Sequence, residues 1–227
     1  MKTICIICMR KGSSEVKNKN LKIINGKPLM YYTINQAIKS KLFDNIVVST
    51  DSDKILKLSH KYGAEGWFLR PKKYANNKIS KRAAIIHALK KAEDRYSLKY
   101  DLVIDLDVTS PLRKISDLKN ALRLLISKKA SNLISVTEAK KNPYFNMVDY
   151  KKNKINLVIP GKKISSRQTA PKVYEMNASI YIWTRDFLLK SKTLFGTKTA
   201  VFYMPQERSI DIDSNFDFKL VKQLIKN

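Results

Sequence analysis

Three stretches of this 227-residue sequence carry side chains suited to chemistry. The first follows an apolar run, Ile4, Cys5, Ile6, Ile7 and Cys8, and sets Arg10, Lys11, Lys17 and Lys19 in a loop containing glycine and serine. Fixed cations beside backbone N–H groups stabilise charge on phosphate oxygens, most effectively in a partly dry site. Phosphoryl or nucleotidyl transfer is the chemistry such a loop suits, although a solvated basic loop has the same composition. The second stretch is Ser209-Ile210-Asp211-Ile212-Asp213. Period-two spacing on an extended segment puts Asp211 and Asp213 on one side, a pair that suits Mg²⁺ with water and substrate phosphates completing its shell. Capping of the next helix by Asp213 or Ser214 is the competing role. The third is Asp105-Leu106-Asp107-Val108-Thr109-Ser110-Pro111-Leu112-Arg113, whose polar groups would share the crevice at the carboxyl edge of a parallel sheet.

Looser signals are Arg70-Pro71, and Ser166-Arg167-Gln168 with Asn177 and Tyr181 beyond it. An arginine can clamp a carboxylate bidentately and an asparagine can read hydroxyls or amides. His60 and His87 stand alone on helices, where surface or core-edge roles are the simpler reading. Neither G-x-x-x-x-G-K-[ST] nor G-x-G-x-x-G occurs, nor a nucleophile or zinc signature. Covalent catalysis is therefore not expected.

The elements around these stretches alternate. Residues 4–8 form a buried strand, and Gly26-Lys27-Pro28 a turn with Pro at the first helical position, ahead of Met30, Ile34, Ala37 and Ile38 at helical spacing. Residues 45–50 form a strand, Asp51 caps a helix, and residues 63–69 form a short strand ending at Arg70. A surface helix over 79–96, a strand over 101–106 and a helix capped by Ser116 follow. Strands alternating with helices predict a mostly parallel sheet with right-handed crossovers. From residue 132 the pattern shifts to strands at 133–136, within 142–159, at 178–183 and at 200–204, so the sheet becomes mixed. Ser214 opens a last helix.

The apolar content of 44% supports one large α/β domain, with a protruding β region over about 140–175. Cys5 and Cys8 fit neither a disulfide framework nor a four-ligand zinc site, and no leader or membrane-length apolar run is present, so a cytoplasmic protein is expected. The formal charge of +26 suggests nucleic acid, yet the lysines are scattered, with no basic stripe interleaved with aromatics.

Taken in order, ICMRKGSSEVKNKNLKIINGKPL, LFDNIVVSTDSDKI, YGAEGWFLRP, VTSPLR, RQTAPKVYEMNASIYIW and SIDIDS resemble the CMP-sugar synthetases, the acylneuraminate cytidylyltransferases. LDVTSPLR, NPYFN and MNASIYI look most like the CMP-legionaminic acid enzymes. The resemblance implies a three-layer α/β/α Rossmann-like nucleotidyltransferase fold with a protruding dimerisation region. It also implies CTP-dependent activation of a nine-carbon 2-keto sugar acid to its CMP-sugar, with pyrophosphate released and Mg²⁺ assisting, in a homodimer. By that resemblance Arg10, Ser13 and Lys19 hold the triphosphate and Asn20, Arg70 and Ser80 complete the nucleotide contacts. Asp211 and Asp213 bind Mg²⁺, with Asp211 helping to deprotonate the nucleophile. Asp107, Arg167, Gln168, Asn177 and Tyr181 face the sugar acid.

The sequence departs from the family loop R-G-G-S-K-G, since Lys11, Ser14 and Glu15 replace its second glycine-type, lysine and last glycine positions. Asn77-Lys78-Ile79-Ser80 likewise replaces an acidic-Thr-Ala-Ser run. A non-catalytic homologue that binds nucleotide or sugar acid is the alternative these changes raise.

Overall fold

A computed structural model describes residues 1–12, 16–76, 79–160, 164 and 166–225. The opening apolar run is β1 (Thr3–Met9), whose alternate side chains enter two different cores. Ile4 and Ile6 pack with Ile85, Leu89 and Trp183, while Cys5, Ile7 and Met9 pack with Leu29, Ile34 and Leu118. A strand buried on both faces has no polar side to show, so its sequence is continuously apolar. Cys5 and Cys8 point to opposite sides of the sheet and are free thiols.

A short hairpin, β2 (Ile23–Ile24) and β3 (Lys27–Pro28), leads into α1 (Leu29–Ser40). Then come β4 (Asn45–Thr50), α2 (Asp53–Lys61), α3 (Lys81–Tyr96), β5 (Leu102–Leu106) and α4 (Ile115–Ser127). The second half holds β6 (Asn132–Glu138), the hairpin β7 (Val148–Lys151) and β8 (Lys154–Leu157), β9 (Tyr174–Thr184), α5 (Arg185–Lys190), β10 (Thr199–Tyr203) and α6 (Asn215–Leu224). The main sheet runs β10-β6-β9-β5-β1-β4. Only β9 is antiparallel to its neighbours, which makes the sheet mixed as expected. Helices cover both faces, giving three layers.

Local details correct several expectations. Ser52, not Asp51, caps α2, its hydroxyl accepting the Ile55 N–H; Asp51 instead accepts the Lys11 N–H at 2.7 Å and so ties the basic loop to β4. Ser116 lies inside α4, which Lys114 precedes, and Asp117 reaches back to the Lys114 N–H at 2.8 Å. Pro28 stands one residue before α1 rather than within it. Residues 63–69 form no strand: Glu65 and Leu69 make single bridges to β4, because Trp67 turns its ring onto Phe68 and Tyr96.

The pairing of β6 with β9 slips between Ile134 and Val136, and the extra residues on β9 leave Ala178 at a positive φ of 51°. Ser135 and Asn177 fill the bulge: Ser135 Oγ donates to Asn177 Oδ1 at 2.6 Å and accepts the Ile180 N–H at 2.8 Å. Asn177 Nδ2 in turn donates to Ser209 Oγ at 2.9 Å, which ties β9 to the segment carrying Asp211.

Candidate active site

Parallel strands end on a common edge, and the carboxyl ends of β1 and β5 open into a cleft of about 300 Å³. Arg10, Lys19 and Arg70 bring positive charge to it, Asp107, Asp211 and Asp213 bring negative charge, and Asn20 and Ser80 also line it. Eight side chains nominated from distant parts of the sequence thus share one space. Ser13 lies outside the described residues, as do Ser14, Glu15, Asn77 and Lys78.

The cationic groups are held by backbone carbonyls. Lys19, on the single turn Lys19–Leu21, donates to the Ile212 carbonyl and reaches Asp213 Oδ1 at 3.4 Å. Arg70 is buried, donating to the Ser49 carbonyl and to that of Tyr74 at 3.5 Å. Asn20 donates to the Arg10 carbonyl at 3.0 Å, fixing the end of β1 against the Lys19 turn. Ser80 precedes α3 without capping it, so its hydroxyl is not committed to the helix end.

The acidic groups differ sharply in environment. Burial pushes the Asp211 carboxyl up to about 6, with Asp107 and Asp213 adding to the effect, and its Oδ1 is buried without a hydrogen-bond partner. Asp213 is exposed. Burial would raise Asp107 as well, but the Lys81 ammonium at 2.7 Å and the Thr109 N–H and hydroxyl at 3.3 and 3.0 Å outweigh it and lower it to about 2. Asp107 is thus a permanently charged acceptor, and Asp211 titrates near neutrality. An orphaned buried carboxylate oxygen beside an exposed carboxylate suits a hard divalent ion, which takes one or two carboxylates and finds its other ligands in water and phosphate. Among the described residues no group of three or more His, Cys, Asp or Glu gathers to hold a metal alone.

The sugar-side residues are dispersed. Asn177 borders a neighbouring depression shared with Asp211 and Asp213; within the β9 bulge its Oδ1 accepts from Ser135 and the Ser179 N–H and its Nδ2 donates to Ser209 Oγ. Arg167 and Gln168 line a separate depression with Asn142, where Arg167 donates to the Lys140 carbonyl at 2.9 Å. Tyr181 pairs with Asp105 across β5 and β9 and meets Trp183 edge to face with ring centroids 5.9 Å apart, outside the lining of the cleft; burial pushes its phenol up to about 12. Within one chain, then, Arg167, Gln168 and Tyr181, expected to face the sugar acid, do not line the cleft that holds Arg10 and Asp211.

Sequence reasoning missed Lys81 and Tyr74, both in the lining of the cleft. Lys81 lay unremarked among many lysines. Only its place at the start of α3, opposite the end of β5, distinguishes it.

The model of the cytidylyltransferase family matches residues 4–226. The chain is 44% identical over 222 residues to a CMP-N,N'-diacetyllegionaminic acid synthase of Campylobacter jejuni, covering 98% of this chain and 94% of that protein. It is 32% identical over 227 residues to a pseudaminic acid cytidylyltransferase of the same species, covering 100% and 97%. Among solved structures, CMP:2-keto-3-deoxy-manno-octonic acid synthetase complexed with CTP superposes with a TM-score of 0.72 at 16% identity, over 99% of this chain and 98% of that one. That likeness bears out the nucleotidyltransferase fold that the resemblance implied, and the mixed, mostly parallel sheet expected from the order of strands and helices. With its cleft at the carboxyl edge of that fold and a family match spanning nearly its whole length, this chain belongs to the cytidylyltransferase family.

Proposed function

We propose that the chain activates a nine-carbon 2-keto sugar acid of the legionaminic type with CTP, giving the CMP-sugar and pyrophosphate. The observation that carries this reading is the cleft itself, with fixed cations facing a charged Asp107 and a titratable Asp211. The 44% identity to a CMP-N,N'-diacetyllegionaminic acid synthase supports the choice of acid.

In this reading Arg10 and Lys19 grip the triphosphate, with Ser13 beside them, and Asn20, Arg70 and Ser80 contact the cytidine. Asp211 and Asp213 would hold Mg²⁺, which when bound neutralises charge on the phosphates and polarises the reacting phosphoryl group. The anomeric hydroxyl oxygen forms its bond to the α-phosphorus as the bond to the pyrophosphate oxygen breaks, and Asp211 takes the hydroxyl proton. Orientation and charge neutralisation supply most of the rate, so a strong protein base is not required. Asp107 accepts hydroxyls of the sugar acid.

A homodimer completes the reading. The β7–β8 hairpin leaves Val148, Tyr150 and Ile155 more than 60% exposed, an apolar surface that a second copy would cover. Arg167 and Gln168 lie next to that protruding region and would complete the sugar side across the interface. Light scattering should give a dimer mass that Ile155→Asp halves; a monomeric wild type would end this part of the proposal.

The deciding experiment offers legionaminic, pseudaminic and neuraminic acids separately with CTP and Mg²⁺ and follows pyrophosphate. Release with the legionaminic acid is expected. Silence with all three from folded protein would favour a non-catalytic homologue.

A further inference from the structure

The floor of the cleft holds a charge arrangement that the proposed reaction does not use. Lys81 Nζ lies 2.7 Å from Asp105 Oδ2 and 2.7 Å from Asp107 Oδ2, so one ammonium joins two carboxylates. Asp105 is fully buried; among the described residues its ion partner is Lys81, neither of its carboxylate oxygens has a well-aligned hydrogen bond, and burial raises its affinity for a proton. Burial opposes the charge on Lys81, yet the two carboxylates raise its affinity for the proton above that of an ordinary lysine.

A buried ion pair is a weak way to gain stability, because desolvation consumes the attraction unless further hydrogen bonds support each charge. Asp105 lacks that support. Its partner Lys81 lines the cleft together with Asp107, Asp211 and Asp213, a setting in which perturbed ionisable groups mark function rather than packing. Two carboxylate oxygens within reach of a single centre are also what a hard divalent ion takes in a phosphate-handling site. Lys81 fills that centre with a tethered monovalent cation, on the first residue of α3 and therefore fixed in place by the helix.

We propose that Lys81 is a built-in counter-ion that occupies the cation position between Asp105 and Asp107. Divalent metal is thereby confined to the Asp211–Asp213 side, and Asp107 is left as a metal-free acceptor. Lys81 is a positioning residue in this scheme, acting on substrate through Asp107. The inference deepens the cytidylyltransferase reading of the same cleft and rests on it for the role of Asp107. The metal-exclusion step rests only on the three side chains.

The test counts Mn²⁺ bound to the full chain by electron paramagnetic resonance, without nucleotide, for wild type, Lys81→Met and Lys81→Met/Asp105→Asn. Lys81→Met should bind one more ion than wild type, or bind Mn²⁺ about tenfold more tightly, and the double variant should lose that gain because one ligand is neutralised. An unchanged count and affinity in folded Lys81→Met overturns the proposal. Should Lys81→Met fold only with Mn²⁺ present, the ion has replaced the ammonium and the proposal stands. Should it fail to fold at any Mn²⁺ concentration while the double variant folds, Lys81 merely compensates Asp105 and the proposal falls. Absence of pyrophosphate release from wild type would remove the catalytic reading without altering the ion count, so the two failures are separable.

Discussion

Asp211→Asn should reduce pyrophosphate release on the order of 1,000-fold while leaving the fold intact. In the proposed reading the variant loses one of two metal-holding carboxylates and with it the proton acceptor, which removes several kcal/mol of transition-state stabilisation, and each 1.4 kcal/mol or so is tenfold in rate. The fold should not suffer, for a reason visible in the site. Asp211 is raised from 3.8 to about 6 by burial, so the folded chain holds its proton more tightly than the unfolded chain does. A carboxyl shifted this way contributes most to stability when protonated and costs stability as pH rises from about 4 through 6. Above pH 6 the ionised side chain therefore weakens the metal-free fold, by an amount on the order of 2 kcal/mol. The asparagine variant should melt at the same or a higher temperature than wild type at pH 7.5, and the difference should vanish below pH 4. Calorimetry across that range, with rates measured in parallel, checks both halves. A variant that keeps wild-type turnover would sink the assignment of Asp211, and one that melts earlier at every pH would show a structural role instead.

Lys19→Met should have the next largest effect, a loss of about 100-fold in kcat/KM for CTP. The Lys19 side chain is only 14% exposed, and its ammonium ties two separate parts of the site together, donating to the Ile212 carbonyl and reaching Asp213. Methionine keeps most of the apolar stem but removes the charge that the proposed reading sets against the triphosphate. It also frees the 212–213 segment, so the Mg²⁺ concentration for half-maximal rate should rise, while KM for the sugar acid stays nearly unchanged. Initial rates over separate titrations of CTP, Mg²⁺ and acid distinguish these effects. A change confined to the sugar-acid KM would place Lys19 on the wrong side of the cleft.

These expectations draw on features the sequence made legible. The run from Ile4 to Cys8 announced a strand buried on both faces, and β1 supplies alternate side chains to two cores. DLVIDL and NIVVST read as strands, and the structure makes them the parallel partners of β1. The spacing of Asp211 and Asp213 marked a two-carboxylate segment, and both line the cleft. Such signals survive without tertiary context because they are periodic and local.

What failed to show was decided by long-range contact. The cap of α2 passed from Asp51 to Ser52 because the basic loop, forty residues earlier, claims the Asp51 carboxylate through the Lys11 N–H. Asn177 looked like a free amide, but a slip in strand pairing gave its hydrogen bonds to Ser135, Ser179 and Ser209. Lys81 carried no sequence signal at all, since its meaning depends on two carboxylates at the end of β5.

By itself, the sequence determined the alternation of elements, the buried parallel strands and the charged stretches that come to line the cleft, because each depends on neighbours within a few positions. The tertiary structure alone decided which acids stay charged and which titrate. Asp107 and Asp211 are the same residue type, and only burial, a tethered ammonium and two hydrogen bonds from Thr109 set one near 2 and the other near 6.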